Sequence, residues 1–286
     1  MAADIKKAEG IGFCLGVRRA IDILERTVAR RGAAETLGAI VHNRQVLGRL
    51  ADMGVTVVNS VPDIRGSLVV TSSHGVSPRV IDEIRSRNIE LIDTTCPFVK
   101  RAQVAARKLA AAGYYTVVYG DVGHPEVKGI LGWAGGKGMA TLDAAALTGL
   151  EKLPRRLGVV SQTTQIPAHF ADFVRKLLES PSFKDTELRI FDTICHDIRQ
   201  RQAAALALAG ESDLVLVVGG KMSANSQHLV ELCSTLAETR LVETADEIQA
   251  SWLEGVRSVG VTSGASTDED TIQEVVSRLE TMLGTR

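Results

Sequence analysis

The sequence predicts an α/β protein built from three similar α/β units around a pseudo-threefold axis. Three observations carry this expectation. Short β-branched runs alternate with longer helical patterns along the whole chain, which argues for largely parallel sheets. A cysteine stands just before a helix three times, in Gly12-Phe13-Cys14-Leu15-Gly16, Asp93-Thr94-Thr95-Cys96-Pro97 and Asp192-Thr193-Ile194-Cys195-His196. Counting 28 residues on from each cysteine reaches His42, His124 and Ser223, each in a polar turn after an apolar run. Such repetition sets an architecture before any single motif does.

The elements follow in chain order. After Cys14, Val17 to Arg30 reads as a helix with Arg18 and Arg19 on its first turns. Ile40-Val41-His42-Asn43 is the first polar turn, Leu68 to Thr71 a β-branched strand, and Ser72-Ser73-His74-Gly75 the turn beyond it. The second unit repeats this order. Cys96 leads into a helix over Val99 to Ala112 that carries Lys100 and Arg101, followed by a strand over Thr116 to Tyr119. The turn Gly123-His124-Pro125-Glu126, a strand over Leu157 to Val160 and the turn Ser161-Gln162-Thr163-Thr164 complete it. In the third unit Cys195 precedes Arg199, Arg201 and a helix over Gln200 to Ala209, then a strand over Leu214 to Val218. The turn Lys221-Met222-Ser223-Ala224-Asn225, a strand over Val259 to Thr262, the turn to Ser266 and a helix over Thr271 to Leu283 follow. The units divide as 1–95, 96–193 and 194–286. Loops at the carboxyl ends of strands form the binding crevice of open α/β sheets. Three units about one axis would bring nine such loops to a central cavity.

Composition narrows the function classes. A chain of 286 residues has room for two or three domains, and it can bury about three quarters of its unfolded surface without help from disulfides. Thirty-three basic and 34 acidic side chains leave a net charge of -1, which argues against a surface for nucleic acid or anionic membrane. No apolar run approaches the roughly 18 residues of a membrane span. Met1 to Gly10 lacks the apolar stretch of a secretory signal, so a cytoplasmic protein is expected. Its four cysteines therefore read as buried, catalytic or cluster-binding thiols rather than as a disulfide framework.

Cys14, Cys96 and Cys195 each stand at a helix start with basic residues nearby, and both features favour thiolate. Three thiolates at one centre could hold zinc with one open position, although catalytic zinc usually takes His or carboxylate ligands too. They could equally anchor three corners of a cubane iron–sulfur cluster, leaving one iron open for substrate. Ordinary buried thiols are the plainer alternative. Cys233 matches no repeat position and reads as a small core residue. His42, His74, His124, Ser223, Asn225 and Ser266 share a chemistry suited to an oxygen-rich anion such as a diphosphate. Neither a phosphate-cradling Gly-Lys-Ser/Thr loop nor dinucleotide glycine spacing is present. Glu126 is the one glutamate in these turns, a proton donor if burial raises its pKa. Thr163 is placed to orient a substrate hydroxyl. His169, His196 and His228 have no repeat counterparts and no assigned role.

The segments Gly12 to Ile21, Val41-His42-Asn43, Ser73 to Ser77, Asp93 to Pro97, Gly123 to Val127, Ser161 to Thr164 and Gly264-Ala265-Ser266 together resemble the IspH/LytB family, in order from Gly10 to about Leu283. The resemblance implies a trefoil of three α/β domains around one 4Fe-4S cluster, held by Cys14, Cys96 and Cys195 with one iron open. It implies diphosphate binding by His42, His74, His124, Ser223, Asn225 and Ser266. It also implies a catalytic group of Glu126, His124 and Thr163, with Glu126 relaying protons and Thr163 meeting the substrate hydroxyl. The implied activity is the reductive dehydroxylation of 4-hydroxy-3-methylbut-2-enyl diphosphate to isopentenyl and dimethylallyl diphosphate, the last step of the methylerythritol phosphate route. Ferredoxin or flavodoxin would supply electrons to a monomeric enzyme, since no flavin or nicotinamide motif is present. Ala224 stands where some members carry serine, and Asp268 where proline is common, which bears on the local turn. The competing readings are a non-catalytic iron–sulfur or metal sensor and a cluster-free diphosphate-binding protein. Glu126 and Thr163 argue against a sensor, which needs neither.

Overall fold

The computed structural model describes residues 3–150 and 154–284. The outer ends of the first and third expected units, residues 1–2 and 285–286, lie outside the described residues. The chain opens with β1 (Asp4–Lys7), α1 (Leu15–Arg31), β2 (Ala34–Leu37), α2 (Arg44–Asp52), β3 (Val55–Val58), β4 (Leu68–Thr71), α3 (Pro78–Ser86) and β5 (Glu90–Ile92). It continues through α4 (Pro97–Ala111), β6 (Tyr115–Tyr119), α5 (Pro125–Trp133), β7 (Gly138–Thr141), α6 (Ala145–Thr148), β8 (Arg156–Ser161), α7 (Pro167–Glu179) and β9 (Glu187–Phe191). It ends with α8 (His196–Ala209), β10 (Leu214–Val218), α9 (Ala224–Cys233), β11 (Glu238–Val242), β12 (Ser258–Ser263) and α10 (Glu269–Leu283).

The strands form three four-stranded parallel sheets, ordered β3-β2-β4-β5, β7-β6-β8-β9 and β11-β10-β12-β1. The three orders are the same, with one permutation. β1, from the start of the sequence, takes the fourth place in the third sheet by pairing Ile5 with Val259. The inner strands β4, β6 and β10 are largely apolar, as expected of parallel strands covered on both faces, whereas inner strand β2 (Ala-Glu-Thr-Leu) mixes in Glu35 and Thr36. Every residue of β10 is buried, and so are Val117 and Val118 of β6. Outer strands such as β9 (Glu-Leu-Arg-Ile-Phe) and β11 (Glu-Thr-Arg-Leu-Val) carry charge, which blunts an edge against further pairing.

The chain divides into two compact units. One contains β1, Val41–Leu50 with most of α2, and everything from α8 to α10, and so holds the third sheet. Its core packs Leu216, Val218, Val261, Ile272, Val275 and Leu279 on one face and Val215, Val217, Leu229 and Cys233 on the other. The second unit contains most of α1 and all of β2–β9 with α3–α7, and so holds the other two sheets. Val69 and Ile84 centre the core of its first sheet, and Val118, Val127, Ile130 and Val160 that of its second.

No helix among the described residues is long and apolar enough to cross a membrane. The four cysteines are thiols rather than disulfides.

Candidate functional site at the carboxyl ends of the strands

Each of the three repeated cysteines occupies the same place in its sheet. Cys14, Cys96 and Cys195 follow the fourth strands β1, β5 and β9 and immediately precede α1, α4 and α8. The backbone fixes them alike. The Cys14 amide donates to the Ala265 carbonyl at 3.0 Å, that of Cys96 to Ser73 at 3.0 Å, and that of Cys195 to Thr163 at 2.9 Å. Each acceptor lies in the turn after the third strand of the sheet, where the sequence placed its last landmark. Two threonines brace two of these loops. The Thr94 amide donates to the Thr71 hydroxyl at 2.9 Å and the Thr193 amide to the Ser161 hydroxyl at 3.1 Å, while both threonine hydroxyls donate back to the partner's carbonyl. Sequence reasoning passed over Thr94 and Thr193. Comparing the segments before Cys96 and Cys195 column by column would have found them, because both read Asp-Thr two residues ahead of the cysteine pair.

In the unit with two sheets, Cys96 stands at the N-cap of α4, beside the first-turn amides of Phe98 and Val99 but without a side-chain capping hydrogen bond. Burial pushes this thiol above its usual value, opposed by those amides and by Arg19. The helix-terminus and cationic effects expected from sequence are thus present, but desolvation outweighs them. His124 caps α5 by accepting the Glu126 amide at Nδ1, 3.2 Å away. Its ring meets that of His74 edge-to-face, with centroids 5.2 Å apart. Glu126 is 1% exposed, and both its oxygens are held by one residue. The Thr163 amide donates to Oε1 at 2.6 Å and the Thr163 hydroxyl contacts Oε2 at 2.9 Å. Burial pushes the carboxyl up to about 7, against those two hydrogen bonds, which lower it. The charge on Glu126 also acts on Cys96, and Thr163 is the residue whose carbonyl holds Cys195. Cys96, Cys195, His124, Glu126 and Thr163 therefore belong to one connected neighbourhood, with His74 against His124.

The other unit brings together Cys14, His42, Ser223, Asn225 and the Ser266 loop. The Val17 amide donates to Cys14 Sγ at 3.4 Å, and Ala265, which holds the Cys14 amide, adjoins Ser266. Asn43 and Ser223 cap α2 and α9 by accepting the amides of Val46 and Ser226. The two turns touch, since a Cβ on Gly220 would stand 2.2 Å from the His42 carbonyl oxygen, so only glycine fits. Burial pushes His42 below the usual imidazole range. Asn225 is 4% exposed, yet neither of its amide atoms has a partner. The hydroxyls of Ser266 and Ser226 are likewise buried and unpartnered. A buried polar atom left unmet costs about 1–3 kcal/mol, and this set beside the α9 terminus could both donate to and accept from a polar ligand. Helix amino termini favour anions at such places. Asp268 caps α10 by accepting the Thr271 amide at 2.8 Å, so the turn tolerates the absence of proline. Cys233 is buried in an apolar core with its thiol raised to about 11, far from thiolate character.

These features define a parallel α/β protein of three like sheets, with thiols and phosphate-compatible polar groups at the carboxyl ends of its strands. A model of the LytB protein family matches residues 5–280. The 4-hydroxy-3-methylbut-2-enyl diphosphate reductase of Dehalococcoides mccartyi strain CBDB1 is 59% identical over 96% of this chain and 97% of its own. The reductase of the same name from Geobacter metallireducens is 40% identical over 96% of each chain. Among solved structures, the E-1-hydroxy-2-methyl-but-2-enyl-4-diphosphate reductase of Plasmodium falciparum superposes with a TM-score of 0.91 at 27% identity, covering 98% of this chain and 89% of that one. A second reductase, described as the terminal enzyme of the non-mevalonate pathway, gives 0.70 at 34% identity, covering 98% of this chain and all of its own. The chain belongs to the LytB family.

Proposed function

We propose that the chain is an oxidoreductase that converts 4-hydroxy-3-methylbut-2-enyl diphosphate into isopentenyl and dimethylallyl diphosphate, closing the methylerythritol phosphate route to isoprenoids. The observation that carries the catalytic reading is the Glu126–Thr163 pair, a fully buried carboxyl with a near-neutral pKa and both oxygens on one threonine. Full-length relatives that bear the reductase name support the substrate.

Three thiols at equivalent positions, each with its amide clamped by the neighbouring turn, fit a cluster held by cysteine alone. Cys14, Cys96 and Cys195 would hold one 4Fe-4S cluster per chain, which supplies single electrons and, at the iron without a cysteine, a Lewis acid. The protein's own groups do the rest. His42, His74, His124, Ser223, Asn225 and Ser266 bind the diphosphate, which satisfies the unmet atoms of Asn225 and Ser266. In its protonated form Glu126 donates through Oε2 to the Thr163 hydroxyl, and that frees the threonine proton for the substrate hydroxyl. The hydroxyl then leaves as water. With two electrons and a second proton taken up by the allylic fragment, the reaction balances. Ferredoxin or flavodoxin is the donor, the enzyme acts as a monomer, and a cytoplasmic setting is supported by the need for reduced thiols at Cys14, Cys96 and Cys195.

The test is an anaerobic assay of the purified protein with the diphosphate substrate and a reduced viologen, with iron and acid-labile sulfide counted on the same sample. Dye oxidation with about four irons and four sulfides per chain is expected. A full cluster without turnover would favour the sensor, and no cluster after reconstitution would remove the three cysteines as ligands.

A further inference from the structure

The two-sheet unit holds a cavity of about 240 Å³, walled by β4, β5 and helices α3–α5. Its body is apolar, formed by Ile81, Leu91, Val104 and Trp133. Trp133 is fixed in place, since its indole Nε1–H donates to the Val76 carbonyl at 3.0 Å. Charge gathers at the rim in Asp93, Lys100 and Arg107. Asp93 and Lys100 pair at 2.7 Å and neutralise each other. The Arg107 guanidinium lies over the Trp133 ring, 5.6 Å from its centroid, and has no carboxylate partner among the described residues. The cavity therefore carries one uncompensated positive charge beside an immobilised aromatic face. Gln103, another lining residue, is 5% exposed, and its Nε2 has no acceptor.

We propose that this cavity binds a small amphipathic monoanion, an aromatic or branched apolar body carrying one carboxylate. The apolar body sits against Ile81, Leu91 and Trp133, and the carboxylate pairs with Arg107. A 150 Å³ apolar cavity accommodates benzene, so the volume here suits about ten heavy atoms. A diphosphate would bring too much charge for the single cation. The position gives such a ligand leverage. Thr95, which lines the cavity, adjoins Cys96. Gln103 packs so closely on Gly75, next to His74, that a Cβ there would stand 2.5 Å from its Nε2. An occupant thus presses on the supports of two loops of the proposed catalytic site without entering it.

The probe is trans-cinnamate, titrated calorimetrically into the full chain. A Kd of about 1 mM or tighter is expected for a ligand of this size. Cinnamyl alcohol, which lacks the charge, should bind about two- to fivefold more weakly, and Arg107→Gln should weaken cinnamate by a similar factor. Val104→Trp, at an exposed helix position on the cavity wall, should abolish binding while the melting temperature is kept. With saturating 4-hydroxy-3-methylbut-2-enyl diphosphate the probe should still bind one site per chain, at a shifted Kd where the two sites are coupled. Failure to bind, equal binding of acid and alcohol, binding retained in Val104→Trp, or displacement by the diphosphate would each overturn the proposal.

Discussion

Replacing Glu126 by glutamine should make the metal-free protein more stable, by an amount that grows as pH rises toward neutral. The carboxyl is raised from 4.5 to about 7, chiefly by burial. The folded chain therefore holds this proton more tightly than the unfolded chain does. Between pH 4.5 and 7 the folded state carries more protons, so stability falls as pH rises through that window and levels off above it. A rise of about 2.5 units at about 1.36 kcal/mol per unit is a loss of about 3 kcal/mol by pH 8. Glutamine keeps both contacts without titrating. Its carbonyl accepts from the Thr163 amide, and its NH₂ donates to the Thr163 hydroxyl as the protonated acid does. Urea unfolding of both proteins from pH 5 to pH 8 should show a difference of about 1 kcal/mol at pH 5, growing to about 3 kcal/mol at pH 8 in favour of the variant. A difference that stays flat across that range would show that Glu126 titrates as an ordinary carboxylate and would remove the basis for its role as an acid. In the reconstituted protein the same substitution should keep the cluster and substrate binding but lose most turnover.

Substitution at the other positions separates ligands, binding groups and packing. Cys14→Ser, Cys96→Ser and Cys195→Ser should each lose cluster and activity, whereas Cys233→Ser should keep both at a cost of about 1 kcal/mol for its buried hydroxyl; iron content and turnover decide. Asn225→Ala and Ser266→Ala should raise the substrate KM by about tenfold or more, as expected for lost charge-assisted hydrogen bonds. Each should also slightly stabilise the ligand-free chain by removing an unmet polar atom, and thermal melts with and without substrate check both signs. Gly264→Ala should destabilise by about 2 kcal/mol, because its Cβ would stand 2.3 Å from the Ser226 hydroxyl. Adding Ser226→Ala removes that atom and should restore most of the loss in a double-mutant cycle.

What sequence could see follows from burial. The strands read over Leu68 to Thr71 and Leu214 to Val218 match β4 and β10 residue for residue, because interior strands are continuous apolar runs. The outer strands β1, β5, β9 and β11 mix charge into short segments and carry no such signal. The helices after the cysteines begin at Leu15, Pro97 and His196, two to four residues before the apolar periodicity starts. The cysteine turn, not the periodicity, opens them, and their first residues are polar, proline or exposed. The repeat marked the turns that carry His124 and Thr163, but the contact of Glu126 with Thr163 across 37 residues was not readable from spacing. Desolvation was not legible. The local sequence around Cys96 argues for an easily ionised thiol, but only the packed structure shows that burial outweighs its amides and Arg19.

The permuted third sheet has a consequence for how the three cysteine loops are assembled. The brace beside Cys96 closes across 23 residues and that beside Cys195 across 32. The corresponding bond beside Cys14, from the Gly12 amide to the Ser263 hydroxyl, closes across 251. Loop-closure entropy grows as about 1.5 RT times the logarithm of length, which puts the Cys14 loop about 2 kcal/mol behind, or roughly thirtyfold in rate if closure limits it. Partial folding of the intervening chain shortens that loop only by making closure wait on it, so both routes place Cys14 last. Chains of this size fold through populated intermediates, which makes the order observable. In refolding followed by pulsed hydrogen exchange, the amides of Cys96 and Cys195 should gain protection before that of Cys14, which is held by Ala265 only once β1 has docked on β12. Simultaneous protection of all three would mean that the sheets form in one step and that long-range closure does not set the order.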